Sequence, residues 1–485
     1  MQTRKDQVQA HMFVAGRLIS AMLRAEPDAP QTPMRRFMGA TFAGVLIGVM
    51  VVAGFGILGY IKPGGAKAWR QPGALIVEKE TGAQYVFADG ELKPVLNYAS
   101  AKLILGDTLQ VVNTSRGSLK GVAHGLPVGI DTAPDALPDA NRLDGTAWQI
   151  CSTLRPDISG VDRAFVTLDV GTAHTGAGLP EDSALIVRTP DGTAYLAWNN
   201  RRLRIADDAV IRALGYGAAR QHQVGVAWIN ALPVGPDLKA PAVPGRGRPG
   251  ATVGGQPRLV GQLFEVRGAA NVSQFFVLAE AGLAPLTTTG AALLLADQGS
   301  AAAYPGAQVE PIQVGAADVT QVPRAGKSLV DPGLPATPPE ALSATEDEAP
   351  CLQTTVGADS GAIVRIALDA VAVPTSAAAG EEDEATAPSV TRGQADQVRV
   401  QPGAGLVMRA LPGPGVEKGT QYLLVDTGVR YPIPSDEVRG ILGYGDVQPV
   451  PVPTTLLELL PAGRPLDPEA AKTTSRVAPQ AVTPP

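Results

Sequence analysis

The sequence predicts an α+β protein: a single N-terminal transmembrane helix, then an extracytoplasmic domain in which four divergent β-β-β-α repeats flank a disulfide-linked central core. Three observations carry this. The stretch Phe37 to Ile61 contains no charged residue and no proline. A strand–turn–strand–turn–strand–helix pattern recurs after it. Two sizeable inserts interrupt the recurrence, and each holds one of the chain's 2 cysteines.

The apolar stretch fixes compartments. At about 1.5 Å per residue it spans roughly 30 Å or more, enough to cross a bilayer core. In lipid every backbone polar group must be satisfied within the segment, which leaves a helix as the state it adopts. The assignment is residues 37–61. The 36 residues before it are too many, and the apolar run too long, for a cleaved signal peptide. Residues 1–36 carry a net charge of +3 and the remainder −9, for a total of −6. Arg35 and Arg36 abut the span on one side; Lys62, Lys67 and Arg70 follow on the other. Counted over the whole basic arm, the bias predicts a plasma-membrane protein with a cytoplasmic N-terminus and a large domain outside. Within the span, Ala40, Gly44 and Gly48 form a small-residue face on which another helix can pack. Glycine is also simply common in membrane helices, so both readings stand.

In the arm, Val8, Met12, Ala15, Ile19 and Met22 fall at three- and four-residue spacing until Pro27. That stripe predicts an amphipathic helix that lies on the inner leaflet or docks to a cytoplasmic partner.

The repeats follow in order. Repeat one (73–106) has runs around Leu75–Val77, Tyr85–Phe87 and Leu92–Leu96, turns at Thr81-Gly82 and Asp89-Gly90, and a helix from Asn97 to Gly106. Repeat two (183–238) repeats the order through Asp191-Gly192 and Asn199-Asn200 to a helix ending at Leu214-Gly215-Tyr216. Repeat four (404–467) does so through Gly428 to Ser435 and Leu442-Gly443-Tyr444. Repeat three (261–304) is a weaker copy. Leu232-Pro233-Val234-Gly235 and Leu460-Pro461-Ala462-Gly463 close the second and fourth copies. The inserts, 107–180 and 305–400, are expected to meet as one core. An even cysteine count in an oxidising compartment reads as one bridge, Cys151–Cys351, with two buried free thiols as the alternative. Residues 239–252, 331–350 and 374–393 read as linkers, and 468–485 as a disordered tail.

Composition excludes some functions. With 45% apolar and 18% charged residues the chain is not disordered overall. No basic field exists for nucleic acid. The sequence offers no catalytic, cofactor-binding or metal-ligating residues. Gly326-Lys327-Ser328 resembles the end of a phosphate loop, but Gln321 stands where the motif needs glycine and Asp331-Pro332-Gly333 follows where it needs a helix. His11, His124, His174 and His222 are dispersed, no G-x-S-x-G elbow occurs, and Asp359-Ser360-Gly361 reads as a turn. The acidic run Glu381–Glu384 lacks calcium-loop spacing.

The arm from Thr3 to Leu23, followed by Pro33-Met34-Arg35-Arg36 and one span, resembles the EccB family, the membrane-anchored component of type VII (ESX) secretion machinery. So do Trp148-Gln149-Ile150-Cys151, Gly428 to Ile433, Leu442-Gly443-Tyr444, Leu460-Pro461 and Leu466-Asp467-Pro468. The resemblance runs from the first residues to about 470. It implies a subunit of an oligomeric inner-membrane complex with the EccC motor ATPase, EccD and EccE, exporting small helical proteins of the WXG class. It implies repeats similar to a phage-lysin cell-wall-binding module, hence contact with the cell wall, and maps the family's cysteine pair onto Cys151 and Cys351. Some members are described as ATPases; no nucleotide-binding motif is seen here. The alternatives are an extracytoplasmic nucleotide hydrolase and a stand-alone cell-wall-binding membrane protein.

Overall fold

The computed structural model describes residues 3–24, 33–61, 68–143, 145–157, 159–173, 176–268, 272–345, 347–357, 361–370, 393–413 and 419–474. The acidic run Glu381–Glu384, His174, Asp359, Ser360 and the tail beyond Thr474 lie outside them. The chain forms two compact units, one of residues up to Pro94 with Thr108–Gly125, the other of Val95–Asp107 with the chain from Leu126 onward.

The first unit begins with helix α1 (Arg4–Arg24) and helix α2 (Pro33–Ile61). Asp6 starts α1: its carboxylate accepts from the Thr3 N–H (3.0 Å) and hydroxyl (2.6 Å), one half of a capping box. In α2 the segment Phe37–Ile57 is the one stretch among the described residues long and apolar enough to cross a membrane. Its Thr41 hydroxyl donates to the Phe37 carbonyl at 2.8 Å, so this polar group is satisfied within the helix, as lipid requires.

All four repeats share a strand order that the sequence showed only in part. The first three strands are antiparallel neighbours: Ala74–Glu78, Gln84–Ala88 and Glu91–Pro94 in repeat one; Ser183–Arg188, Ala194–Trp198 and Arg201–Arg204 in repeat two; Leu263–Arg267, Ser273–Ala279 and Gly282–Leu286 in repeat three; Leu406–Leu411, Gln421–Leu424 and Arg430–Ile433 in repeat four. Asp89-Gly90 and Asn199-Asn200 turn the second hairpins with all four φ angles positive, between 48° and 83°, the geometry that matches strand twist. After each helix the chain returns as a fourth strand parallel to the first: Gln110–Thr114, Gln221–Gln223, Ile312–Gln313 and Val450–Pro453. A short helix follows each return (Arg116–Leu119, Val226–Ala231, Ala316–Thr320 and Thr454–Leu457).

The repeat helices start where side chains cap them. Asn97, Asp207, Thr287 and Ser435 each accept from backbone N–H groups of the first turn. Two end in the same way: Gly215 (φ 86°) and Gly443 (φ 96°) turn left-handed, and Tyr216 and Tyr444 donate their N–H groups back to Ile211 and Arg439.

The core of the second unit is a five-stranded sheet ordered Ala362–Ala370, Glu348–Val356, Ala147–Pro156, Asp162–Val170, Gln397–Val400. Both inserts contribute, and Cys151 lies directly opposite Cys351, so the expected core and bridge form as one ladder. Trp148, Ile150, Leu168 and Leu352 bury one face against Trp228 of repeat two and Met408, Leu456 and Leu457 of repeat four.

The structure corrects four boundaries. Residues 110–124 and 312–325, expected in the core inserts, complete repeats one and three, because their short segments pair with first and third strands far back in sequence. The basic stretch 239–252, read as a linker, is ordered: Val243 is buried, and the hairpin Pro249–Val253/Gln256–Leu259 contributes Val253 to the core of repeat three. The tail expected to be disordered from 468 opens with a helix, Pro468–Lys472, capped by Asp467, with Ala471 buried beside Leu466 and Tyr444.

Candidate functional site

Gly326-Lys327-Ser328 follows directly on the segment that closes repeat three. Leu283 of the third strand donates to the Pro323 carbonyl at 2.8 Å, and Ala325 donates back to Leu283 at 2.9 Å. The same ladder joins Arg202 to Pro233 and Gly235, and Arg430 to Pro461 and Gly463. Val322-Pro323-Arg324-Ala325 is therefore repeat three's version of the Leu-Pro-x-Gly motif, hidden in the sequence because alanine replaces glycine. In repeat four the glycine is required, since a Cβ on Gly463 would stand 2.3 Å from the Tyr431 ring. After it Lys327 is exposed and Ser328 accepts the Val330 N–H at 3.2 Å, a turn rather than a helix start. These contacts describe a repeat boundary.

The histidines stay apart in role. His222 is buried, and its Nε2 accepts the Ala344 N–H at 3.4 Å; burial pushes its pKa down from the usual 6.5. His124 stacks edge-on against Tyr85 at 5.7 Å. Among the described residues no group of three or more His, Cys, Asp or Glu side chains could hold a metal ion.

What the structure does bring together are ties between sequence-distant segments. The disulfide joins residues 200 apart. Tyr216 of repeat two donates its hydroxyl to the Pro339 carbonyl, and Tyr444 of repeat four to the Pro138 carbonyl, both at 2.8 Å. Burial raises both phenol pKa values, so the hydroxyls stay protonated donors. Each helix-end tyrosine thus holds the lead-in to the core strand of the opposite insert. The sequence signal, Leu-Gly-Tyr twice, was visible; the partners were not. At the core, Asp369 accepts from the side-chain amides of Gln149 (2.7 Å) and Gln353 (3.0 Å), which satisfies a buried carboxylate without a cation. In α2, Ala40, Gly44 and Gly48 lie on an exposed helix surface, and a Cβ on either glycine meets nothing within 4 Å. Arg35 and Arg36 fall in the first turn of α2; their side chains lie outside the described set.

This arrangement defines a class: a protein with one helix, among the described residues, long and apolar enough to cross a membrane, and a large domain that is a stapled scaffold of small αβ repeats. A family model described as "Type VII secretion system ESX-1, transport TM domain B" matches residues 1–480, and the chain belongs to that EccB family. The ESX-3 secretion system ATPase EccB3 of Mycolicibacterium smegmatis is 28% identical over 480 residues, covering 95% of this chain and 88% of that protein. The ESX-2 secretion system ATPase EccB2 of Mycobacterium tuberculosis is 30% identical over 486 residues, covering 96% and 94%. A chain of the intact ESX-5 inner membrane complex is similar over 100% of this chain and 98% of its own length, with a TM-score of 0.63 at 25% identity. A chain of the EccB3 dimer from the ESX-3 core complex covers 82% of this chain and 100% of its own, with a TM-score of 0.60 at 25% identity.

Proposed function

We propose that this chain is a structural core subunit of a type VII (ESX) inner-membrane secretion complex. Helix α2 anchors it through Arg35 and Arg36 at the cytoplasmic side, the Ala40/Gly44/Gly48 face packs on a neighbouring membrane helix, and the repeats stand outside the cytoplasm. Its partners are the EccC motor, EccD and EccE, and the exported cargo is small helical proteins of the WXG class. The observation that carries this reading is likeness along the whole chain, span included, to a subunit of an assembled ESX-5 inner membrane complex. The basic arm supports the orientation.

The second reading, a nucleotide hydrolase, draws on the names of the relatives, which include the word ATPase. The surroundings of Lys327 favour the scaffold, since the segment is occupied in closing repeat three. Affinity purification of the full chain in mild detergent, followed by native sizing and mass spectrometry, tests the proposal. The expected result is a large assembly containing a motor ATPase. Recovery of the protein alone, under conditions that keep other membrane complexes intact, overturns it.

A further inference from the structure

Repeat one departs from its siblings on one face of its sheet. The ladders place Ile76, Val187, Phe264 and Met408 opposite the second-strand aromatics Tyr85, Tyr195, Phe276 and Tyr422. Two residues further on, the equivalent positions hold Glu78, Thr189, Val266 and Ala410. In repeats two to four the helix after the fourth strand closes this face with Trp228, with Val319, and with Leu456 and Leu457, all buried. In repeat one the corresponding helix brings Leu119 alone, and Trp69 from before the first strand joins the same cluster. A cleft of about 920 Å³ remains, lined in part by Ala83, Tyr85, Leu119 and Val122.

The cleft is charged, and its charges are held in place. Glu78 is 7% exposed; its carboxylate accepts from the Thr81 hydroxyl and from Arg116 Nε at 2.7 Å. These two donors, Thr81 first, keep the carboxyl below its usual range and therefore ionised. The Arg116 side chain is still 67% exposed, with its terminal nitrogens beyond this pair. Glu80 accepts the Arg116 backbone N–H at 2.9 Å, so a second carboxylate stands beside the same arginine. Lys120 lines the cleft and makes no ion pair or hydrogen bond among the described residues. Tyr85 and His124, edge to face at 5.7 Å, also line it.

Chain length limits where this cleft can be. Helix α2 ends at Ile61 and the chain is next described at Ala68, a gap that an extended backbone spans in at most about 25 Å. On the membrane-anchored reading above, on which this inference rests, the sheet that begins at Ala74 stays near the outer surface of the bilayer.

We propose that the repeat-one cleft binds the headgroup of a zwitterionic phospholipid, with the phosphate on Lys120 and the free edge of Arg116 and the ammonium beside Glu78 and Glu80. A guanidinium fork matches a phosphate, a lysine adds a compact charge, and the neighbouring carboxylates favour a headgroup that carries both signs.

The test uses the full chain in a non-ionic detergent, titrated with short-chain phosphatidylethanolamine and read by native mass spectrometry. Saturable binding is expected, weakened by about tenfold in Lys120→Gln, the loss of one charge-assisted contact. Lys120 is exposed and unpaired, so an unchanged Tm is expected in that variant. Absence of saturable binding, equal binding by Lys120→Gln, or equal competition by inorganic phosphate or an acidic peptide overturns the proposal. Membrane fractionation with an alkaline wash reports anchoring separately: a chain that stays in the membrane yet binds no lipid condemns the cleft alone.

Discussion

Repeat one and repeat four share the order of their first four strands and the same closing ladder, and they differ in the layer of side chains that faces the last short helix. Repeat four fills that layer with Met408, Ala410, Leu456 and Leu457, and through it joins the largest apolar cluster among the described residues. Repeat one puts Glu78 there and leaves a charged cleft. The turn residues, caps and helix-end glycines specify the repeat as a unit. The residues facing the last short helix decide whether that unit is built into the scaffold or keeps a surface of its own.

The comparison can be broken by emptying that layer. Trp228→Ala in repeat two removes a fully buried indole from the shared cluster and should cost about 3–5 kcal/mol. Leu119→Ala in repeat one, beside an open cleft, should cost about 2 kcal/mol, the low end for such a truncation. Denaturant midpoints of the purified proteins measure both. An equal or larger loss for Leu119→Ala would mean that the layer is equally packed in both repeats.

A smaller effect sharpens the comparison between repeats two and four. His222 sits opposite Val187 in the fourth strand, where repeat four has Val450 opposite Met408. Burial depresses the His222 pKa below 6.5, helped by Arg220 and opposed by a bond to the Leu342 backbone. The unfolded chain therefore takes up the proton first as pH falls. Stability is present in full above the unfolded value and declines below it, toward the folded one. Between about pH 7.5 and 5.5 the native protein should lose more Tm than His222→Gln. Parallel pH profiles would remove His222 from the account.

Much of this architecture was legible because its signals are local. A 21-residue apolar window, Asp-Gly and Asn-Asn turns, and Asn, Asp or Ser caps are read within a few positions of one another. The cysteine pair was legible from count and compartment. The fourth strands were not: Ile312–Gln313 is two residues long, and Val450–Pro453 alternates valine with proline. Each exists only because a first strand some 35–50 residues earlier offers a parallel edge. The helix at Pro468–Lys472 was hidden for the same reason, since burial of Ala471 against distant residues stabilises it. The buried Glu78 could be recognised as unusual only after the ladders had aligned the four repeats.

The central claim is that the chain works by holding a secretion assembly together. It is tested most directly by replacing the native copy in the producing strain with Lys327→Ala or with Cys151→Ser/Cys351→Ser and measuring export and assembly size together. The bridge closes a loop of 200 residues, worth about 5 kcal/mol in the chain-entropy view. The account predicts native export with Lys327→Ala and loss of both assembly and export without the bridge. Loss of export with Lys327→Ala, from an assembly of native size, would contradict it.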